Sequence, residues 1–257
     1  MKHPLRTLLL AVCCGLAAAC TQRQERLKLM SYNIRNGIGI DNIQDIGRIA
    51  RVILREAPDL VALQELDSAT LRVDGRYIPG ELGRMTGMHA TFGRAIGFAG
   101  GSYGIGLLSR TEPLAVRSIP LPGREEARVL LMAEFPDYTV CVTHLSLTPE
   151  DRHASLPLIL QATDTCRKPV LLAGDFNTGD AAAVLAGLGG GFRILSDTTR
   201  MTFPSDNPAV RIDYILGRGL PTSATVAESA VDHTATASDH CPLWVTLVWK
   251  RGKQPGK

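Results

Sequence analysis

The chain has 257 residues, of which 45% are hydrophobic and 21% are charged. This composition is typical of one large globular domain and argues against a fibrous or wholly disordered chain. Its 28 Lys and Arg residues against 25 Asp and Glu residues leave a formal charge of only +3. That small charge argues against a tight, nonspecific grip on nucleic acid, which normally needs a strongly basic face.

The N-terminus carries the pattern of a bacterial export signal. Lys2 and Arg6 precede an apolar run, Thr7–Ala19, that ends in small residues, as in a cleaved leader. The run is shorter than the ~20 apolar residues that a permanent membrane helix needs. We therefore predict a signal peptide over residues 1–19. Without it the charge becomes 26 − 25 = +1, and the mature protein is not expected to be integral to a membrane.

The predicted cleavage site resembles that of a lipoprotein. The segment Leu16-Ala17-Ala18-Ala19-Cys20 places a cysteine directly after small residues, and lipid would be attached to this Cys20 as the mature N-terminus. We expect a protein of the cell envelope that touches the membrane through this lipid anchor alone. Ordinary cleavage after Ala19, giving a soluble periplasmic or secreted protein, is the alternative.

Three cysteines, Cys141, Cys166 and Cys241, remain in the predicted domain. An odd number in an exported protein excludes a full disulfide framework, although one bridge is compatible with it. We expect these cysteines to behave as small buried hydrophobic residues.

From Leu27 onward, short β-rich apolar runs alternate with turns that contain Gly or Pro, without a repeat or a linker. We predict one domain over residues 27–250. The predicted strands are Leu27–Ile34, Leu60–Gln64, Gly104–Ser109, Arg128–Phe135, Thr139–Thr143, Pro169–Ala173, Arg211–Leu216 and Leu243–Val248.

Three helices are predicted between these strands. Ile43–Leu54 places its isoleucines on one face, with Asp41 or Asn42 as the N-cap. A second helix begins at Thr148, which is followed by Pro149 and two acids, and Pro157 is expected to break or kink it. The third covers Ala181–Leu188. Many strands with few helices predict a layered α/β sandwich, in which two packed sheets carry helices on their outer faces.

One apolar strand after another stops at a polar residue that can bind metal or phosphate. Such strand ends gather at one edge of a layered sheet, where active sites usually lie. The motifs are Tyr32-Asn33-Ile34-Arg35, Gln64-Glu65, Gly104-Ile105-Gly106-Leu107-Leu108-Ser109, Thr143-His144-Leu145, Gly174-Asp175-Phe176-Asn177, Ile212-Asp213-Tyr214 and Ser238-Asp239-His240.

In this order the motifs resemble those of the endonuclease/exonuclease/phosphatase superfamily, which includes pancreatic-type deoxyribonuclease, apurinic endonucleases, inositol polyphosphate 5-phosphatases and bacterial sphingomyelinases. The resemblance covers about Leu27 to Val248. It implies a four-layered α/β/β/α sandwich of the DNase I-like type, in which two mixed sheets are flanked by helices. It also implies hydrolysis of a phosphate ester.

A phosphate ester is anionic and weakly electrophilic, so its hydrolysis favours a hard cation held by oxygen ligands. Glu65 is the first ligand expected on these grounds. The resemblance adds Asn33 beside it and Asp239, which binds directly or through water. Mg²⁺ is the expected ion, with Mn²⁺ as a substitute.

The resemblance also assigns roles around the reacting phosphate. Asp175 would orient or deprotonate the attacking water, and Asn177 would hydrogen-bond the phosphate or the nucleophile. His240 would stabilise the developing charge while Asp213 fixes the tautomer of its ring. His144 would donate a hydrogen bond or a proton near the leaving oxygen.

Arg35 follows Asn33 by two residues, as in the pancreatic-type deoxyribonucleases, and we expect it to contact phosphate. Apurinic endonucleases carry an acid there, which weakens that assignment. Arg110, Arg124 and Arg128 are further candidates for substrate contact.

The leading functional hypothesis is a monomeric exported phosphoesterase that acts on lipid headgroups, inositol phosphates or other small phosphates. An exported nuclease acting on DNA or RNA is the alternative, although the predicted rim segments, Asp67–Gly80 and Phe92–Tyr103, contain few aromatic residues on which bases would stack. A catalytically inactive phosphate-binding module is the third hypothesis.

Overall fold

The computed structural model describes residues 24–250. The predicted signal peptide and Cys20 lie outside the described residues, so export and lipidation stay predictions. Within residues 24–250, no helix has both the length and the apolarity needed to cross a membrane.

The described chain forms two six-stranded sheets. The first has the order β11-β12-β1-β2-β4-β3 and the second β5-β6-β7-β8-β10-β9. Strand bounds in the first sheet are β1 Gln24–Asn33, β2 Leu60–Ser68, β3 His89–Phe98, β4 Gly101–Ser109, β11 Thr225–Val231 and β12 Leu243–Lys250. Those in the second are β5 Ala115–Leu121, β6 Arg128–Glu134, β7 Thr139–His144, β8 Val170–Asp175, β9 Arg193–Ile194 and β10 Asp213–Arg218.

Each sheet has a parallel pair at its centre, β1 with β2 and β7 with β8, and the other neighbouring strands are antiparallel. A parallel pair needs a crossover connection. Helix α1 (Ile46–Glu56) connects the first pair and α3 (Pro149–Asp164) connects the second. The carboxyl ends of both pairs meet at one edge of the molecule, where Asn33 of β1 contacts Asp175 of β8.

The helices cover the outer faces of the sheets. Helices α1 and α2 (Ile78–Thr86) pack on the first sheet, and α3 and α4 (Ala181–Leu188) pack on the second. The central core lies between the sheets and includes Leu29 and Val142, both fully buried. Three apolar layers therefore separate four structural layers, and the predicted α/β/β/α sandwich is confirmed.

The strands that were not predicted, β3, β5, β9 and β11, are the four edge strands of the two sheets. An edge strand with a solvated face lacks the continuous apolar run that identifies a buried strand. In β5, for example, only Leu121 is buried, and in β11 only Val231. The eight predicted strands are the central ones, and their bounds differ from the predictions by at most four residues.

Two helical predictions need correction. Helix α1 begins at Ile46, three residues later than predicted, because Asn42 has a left-handed φ of 59° and Asp41 accepts a hydrogen bond from the Ile43 amide. Ile43 is accordingly 60% exposed. Helix α3 follows Thr148 as predicted but continues through Pro157 to Asp164.

Helix α2 was not predicted, and α4 has the predicted bounds. In α4, the side chain of Asp180 accepts a hydrogen bond from the Ala183 amide at 2.9 Å, which is the N-cap contact expected of an aspartate. Cys141, Cys166 and Cys241 form no disulfide. Cys141 and Cys241 are buried, as expected of small hydrophobic residues, and Cys166 is half-buried.

Candidate active site

The site edge is formed by the carboxyl ends of β1, β2, β7 and β8 and the amino ends of β10 and β12. Parallel strands end together there, while β10 and β12 run in the opposite direction and start there. The predicted site residues at this edge are Asn33, Arg35, Glu65, His144, Asp175, Asn177, Asp213, Asp239 and His240.

The Asn33 amide connects the two sheets. Its Nδ2 donates to Glu65 Oε1 at 2.9 Å and to Asp175 Oδ2 at 3.1 Å, and it lies 3.5 Å from His240 Nε2. Its Oδ1 accepts the Arg35 backbone amide at 3.1 Å. Because Asn33 is only 1% exposed, these bonds fix the amide orientation. As placed, Asn33 orients Glu65 rather than offering its oxygen freely to a metal.

Glu65 stands where β2 is interrupted by a bulge. The pairing with β4 shifts between Leu63 and Leu66, and Glu65 has a φ of 59°. An extra residue in a bulge re-aims its side chain and strains the local backbone. The predicted strand ended at Gln64, whereas β2 continues to Ser68 beyond this bulge. The bulge turns the half-buried Glu65 carboxylate toward Asn33.

Asp175, the last residue of β8, is 1% exposed. Its Oδ1 accepts the Asn177 backbone amide at 2.8 Å. Two imidazole nitrogens face its Oδ2, His144 Nε2 at 3.6 Å and His240 Nε2 at 3.7 Å. Burial first, and the neighbouring Asp213 carboxylate second, raise the pKa of Asp175 to about 7. It is therefore an acid poised to exchange a proton near neutral pH.

His240 is held by Asp213. His240 Nδ1 lies 3.0 Å from Asp213 Oδ2, and the ring packs on Phe203 with a centroid distance of 4.8 Å. Burial alone would lower the pKa of His240, but the Asp213 carboxylate, followed by Asp175 and Asp239, raises it to about 10. The ring is therefore positively charged at neutral pH, with hydrogen on both nitrogens.

His144, the last residue of β7, is 8% exposed and has a different environment. Its Nδ1 lies 3.4 Å from Arg128 Nη1. Burial first, then the charge of Arg128 and the His240 ring, hold the pKa of His144 well below its usual range. At neutral pH the His144 ring is thus neutral, whereas the His240 ring is positively charged.

Three predicted residues already have partners within the protein. Arg35 Nε lies 3.4 Å from Asp239 Oδ2, and both side chains are about one-third exposed, 36% and 31%. Asn177 Nδ2 donates to the Leu145 carbonyl at 2.8 Å, and Asn177 has a left-handed φ of 51°. One Nδ2 hydrogen goes to Leu145, so a phosphate contact through the Asn177 side chain would use the second Nδ2 hydrogen, because the amide oxygen can only accept.

The donor set fits a hard divalent cation. Glu65 and Asp239 are partly exposed carboxylates on the Asn33 side of the site, and hard cations favour such oxygens. Asp175, Asp213 and His240 also form a group of potential ligands within 4.8 Å of one another. Asp213 already accepts from the His240 ring, and Asp175 from Asn33 and Asn177, so this buried group is described better as a hydrogen-bonded cluster.

The sequence analysis named Arg128 and Ser238 but did not predict that they support the site from behind. Arg128 is 6% exposed and pairs with Glu126 at 2.8 Å. The prediction that Arg128 contacts substrate is therefore wrong. Ser238 Oγ donates to the Asn33 carbonyl at 2.7 Å and ties the segment before β12 to β1. The sequence signal for the role of Arg128 was the motif Pro122-Gly123-Arg124-Glu125, which lies just before β6.

The other two candidate arginines are also engaged with the protein itself. Arg110 pairs with Asp59 at the opposite edge of the first sheet. Arg124 is bound to Asp151 of α3 at 2.9 Å. The prediction that Arg110 contacts substrate is therefore wrong, because Arg110 follows the end of β4 that lies far from the site edge.

Fold and site together define a layered-sandwich hydrolase of phosphate esters. The sequence matches the family described as "Endonuclease/Exonuclease/phosphatase family" over residues 30–240. The chain belongs to this family, and its predicted superfamily is confirmed. No functionally curated protein matches the sequence.

Solved structures share the fold at low sequence identity. An endonuclease/exonuclease/phosphatase from Beutenbergia cavernae is 24% identical, with a TM-score of 0.69 over 88% of this chain and 72% of that one. The mannosyl-6-phosphatase of Bacteroides thetaiotaomicron is 19% identical, with a TM-score of 0.69 over 87% and 100%. D. rerio TDP2 complexed with single-strand DNA product is 23% identical, with a TM-score of 0.65 over 86% and 98%.

Proposed function

We propose that the protein is an exported, Mg²⁺-dependent phosphoesterase that hydrolyses small phosphate esters by in-line attack of water. The observation that supports this most is the convergence of Asn33, His144 and His240 on one carboxylate oxygen of Asp175. This arrangement places a base with a pKa of about 7 between hydrogen-bond donors in a buried setting. Such a constellation suits activation of water next to an anion.

In this proposal Asp175 orients the attacking water and takes its proton. The Asn177 backbone amide holds the second oxygen of Asp175 at 2.8 Å, so the carboxylate cannot rotate freely. Its raised pKa makes it a stronger base than an exposed aspartate. His240, charged and oriented by Asp213, stabilises the negative charge that develops on the phosphate oxygens.

Glu65 and Asp239 would hold the cation, with Asn33 orienting Glu65. When bound, Mg²⁺ would neutralise charge on the phosphate and help the leaving oxygen depart. Arg35 lies 3.4 Å from Asp239 and is exposed enough to reach a phosphate from the solvent side. Together, the bound cation and Arg35 would supply the positive charge that one phosphate group requires.

The direction of β1 bears on the substrate class. Gln24 begins this strand and Asn33 ends it, and nine steps at ~3.3 Å place them about 30 Å apart. Four residues from Cys20 to Gln24 can span at most about 14 Å. If Cys20 carries lipid, the end of β1 that is tethered near the anchoring membrane is the one opposite the site edge. We therefore favour soluble phosphates, such as inositol or sugar phosphates, over lipid headgroups of that membrane.

A nuclease is the second candidate, and one surface feature favours it. Tyr77, which directly precedes α2, and Phe98, the last residue of β3, lie at the site edge and are 46% and 39% exposed. The Arg72 guanidinium stacks 4.7 Å over Phe98. Exposed aromatic rings with an arginine are suited to stacking bases of a single strand. The similarity to TDP2, solved with single-strand DNA product, motivates the same test.

The deciding experiment is phosphate-ester hydrolysis by the purified protein, with Mg²⁺ or Mn²⁺ and with chelator. Phosphate release is measured from inositol and sugar phosphates, headgroup release from phospholipid vesicles, and strand cleavage on gels from single-stranded and plasmid DNA. We expect turnover of soluble monoesters that chelator abolishes and His240→Ala removes. Turnover of DNA alone would select the nuclease. No turnover with any substrate and either metal would favour the inactive phosphate-binding module.

A further inference from the structure

Arg128 occupies a protected position directly behind His144. It is the first residue of β6, which pairs antiparallel with β7, and His144 is the last residue of β7. Arg128 is 6% exposed, and its Nη1 lies 3.4 Å from His144 Nδ1. A guanidinium this buried is placed to act on the histidine and not on a substrate in the cleft.

The chemistry of the two groups decides where the hydrogen of His144 lies. A guanidinium has donors and no acceptor and keeps its charge at any ordinary pH. Its contact with Nδ1 is attractive only if that nitrogen has no hydrogen. A neutral imidazole carries one hydrogen, so in His144 it must be on Nε2. Protonation of the ring would direct N–H toward N–H and add a second positive charge there.

The other charged groups around His144 are consistent with a neutral ring. Asp175 faces Nε2 from β8 at 3.6 Å, and His240 approaches from the segment before β12. Glu125 and Glu126 precede β6 and accept from Arg128 at 3.4 Å and 2.8 Å. Both acids therefore neutralise the guanidinium without reaching His144 by a hydrogen bond.

Arg128 is itself held firmly. Glu125 accepts the Ser146 hydroxyl at 2.7 Å and the Leu147 amide at 2.7 Å, so it also fixes the loop that follows His144. Because these bonds are made entirely by groups of the protein, the fold itself sets the orientation of the histidine. Such preorganisation is what a hydrogen-bond donor in a catalytic site requires.

We propose that Arg128 is a positioning residue that holds His144 as the neutral tautomer with its hydrogen on Nε2. His144 then donates a hydrogen bond to the phosphate and does not supply a proton to the leaving oxygen. His240 differs from His144 in that its Nδ1 carries a hydrogen, which is directed to Asp213. The meaning for catalysis rests on the proposed phosphoesterase function, whereas the tautomer itself does not.

The tautomer can be measured without substrate from long-range ¹⁵N–¹H NMR spectra of the ring nitrogens, with His144→Gln used to assign the signals. We expect an unprotonated Nδ1 and a protonated Nε2 for His144 in the unmodified protein. Arg128→Met should give a mixture of tautomers and lower kcat about 10-fold. Arg128→Lys should restore part of the preference for the Nε2 tautomer and part of kcat. Arg124→Met, which removes a neighbouring arginine bound to Asp151, should leave the tautomer unchanged.

A hydrogen on Nδ1 in the unmodified protein would overturn the proposal, as would an unaltered tautomer in Arg128→Met. If Arg128→Met does not fold, the unmodified protein and Arg128→Lys decide the question. Failure of the protein to hydrolyse any phosphate ester, with the expected tautomer present, would instead count against the proposed function. The two failures are therefore distinguishable.

Discussion

The site consists of two related halves that differ in burial. The first half-site, Asn33, Glu65 and Asp239, lies where β1 and β2 end and β12 begins. The second half-site, His144, Asp175 and Asp213, lies where β7 and β8 end and β10 begins. In each half, an antiparallel strand pairs with one member of a parallel pair. The same strand arrangement therefore supplies two sets of polar side chains to one edge.

The carboxylates of the two half-sites differ in exposure. Asp239 is 31% exposed and Glu65 is half-buried, whereas Asp175 and Asp213 are each 1% exposed. Partly hydrated carboxylates can exchange water for a cation at moderate cost, while buried carboxylates are held in a fixed geometry by their hydrogen bonds. This difference supports our proposal that the first half-site holds the metal and the second half-site performs the proton chemistry.

The largest expected effect comes from the buried half. Asp175→Asn removes the proposed base while keeping the shape of the side chain, and we expect kcat to fall roughly 10²–10⁴-fold. Because the carboxylate lost is not a metal ligand in this assignment, added Mg²⁺ should not restore the rate. Steady-state kinetics over a Mg²⁺ titration checks this, and recovery at high Mg²⁺ would place the metal in the second half-site.

The exposed half should respond to metal concentration. Glu65→Gln keeps the bond from Asn33 but removes the charge that attracts the cation, so we expect a fall of about 10²-fold at limiting Mg²⁺. The loss should shrink as Mg²⁺ or Mn²⁺ is raised. Glu112→Gln, an exposed change at the opposite edge, is the matched control. A metal-independent loss equal to that of Asp175→Asn would remove the proposed division between the half-sites.

The alkaline limit of activity should depend on Asp213. Asp213 is the main group that raises the pKa of His240, against the effect of burial, to about 10. Since the charged ring is the proposed active form, activity should be lost as pH rises through that pKa. In Asp213→Asn this loss should move toward or below the ordinary histidine value of ~6.5. A pH–rate profile with an unchanged basic limb would show that another group sets it.

Residues that follow a buried central strand are predictable from sequence, because the apolar run and the polar residue that ends it are local features. Asn33, His144 and Asp175 all belong to this kind. The order of such ends along the chain also identifies the layered sandwich. Roles are harder to predict than positions. The neutral state of His144 and the positive charge of His240 depend on partners that are distant in sequence, Arg128 and Asp213.

The features that the sequence analysis missed depend on packing between distant segments. Edge strands such as β5 and β11 form because a central neighbour offers hydrogen bonds, not because their own residues are strongly apolar. The bulge at Glu65 depends on pairing with β4. Arg128 has the same local appearance as a solvated arginine until β7 places His144 beside it.

The smallest predicted effect is on the free energy of unfolding. Its dependence on pH has a sign that is specific to the buried second half-site. The folded-state pKa of Asp175, about 7, is above the ~3.9 of an unfolded aspartate. Between these values the unfolded chain releases a proton that the folded chain keeps, so stability falls as pH rises from about 4 to 7 and the penalty is complete above pH 7. Asp175→Asn removes this penalty, because an amide does not ionise.

We therefore expect Asp175→Asn to be more stable than the unmodified protein at pH 8, by about 1 kcal/mol or more, with the gain shrinking toward pH 5. Urea unfolding at both pH values measures it, and Asp206→Asn, at an exposed position, is the control. A variant that is equally destabilised at both pH values would mean that the hydrogen bonds from Asn33 and Asn177 outweigh the buried charge. The proton chemistry assigned to the second half-site would then lack its electrostatic basis.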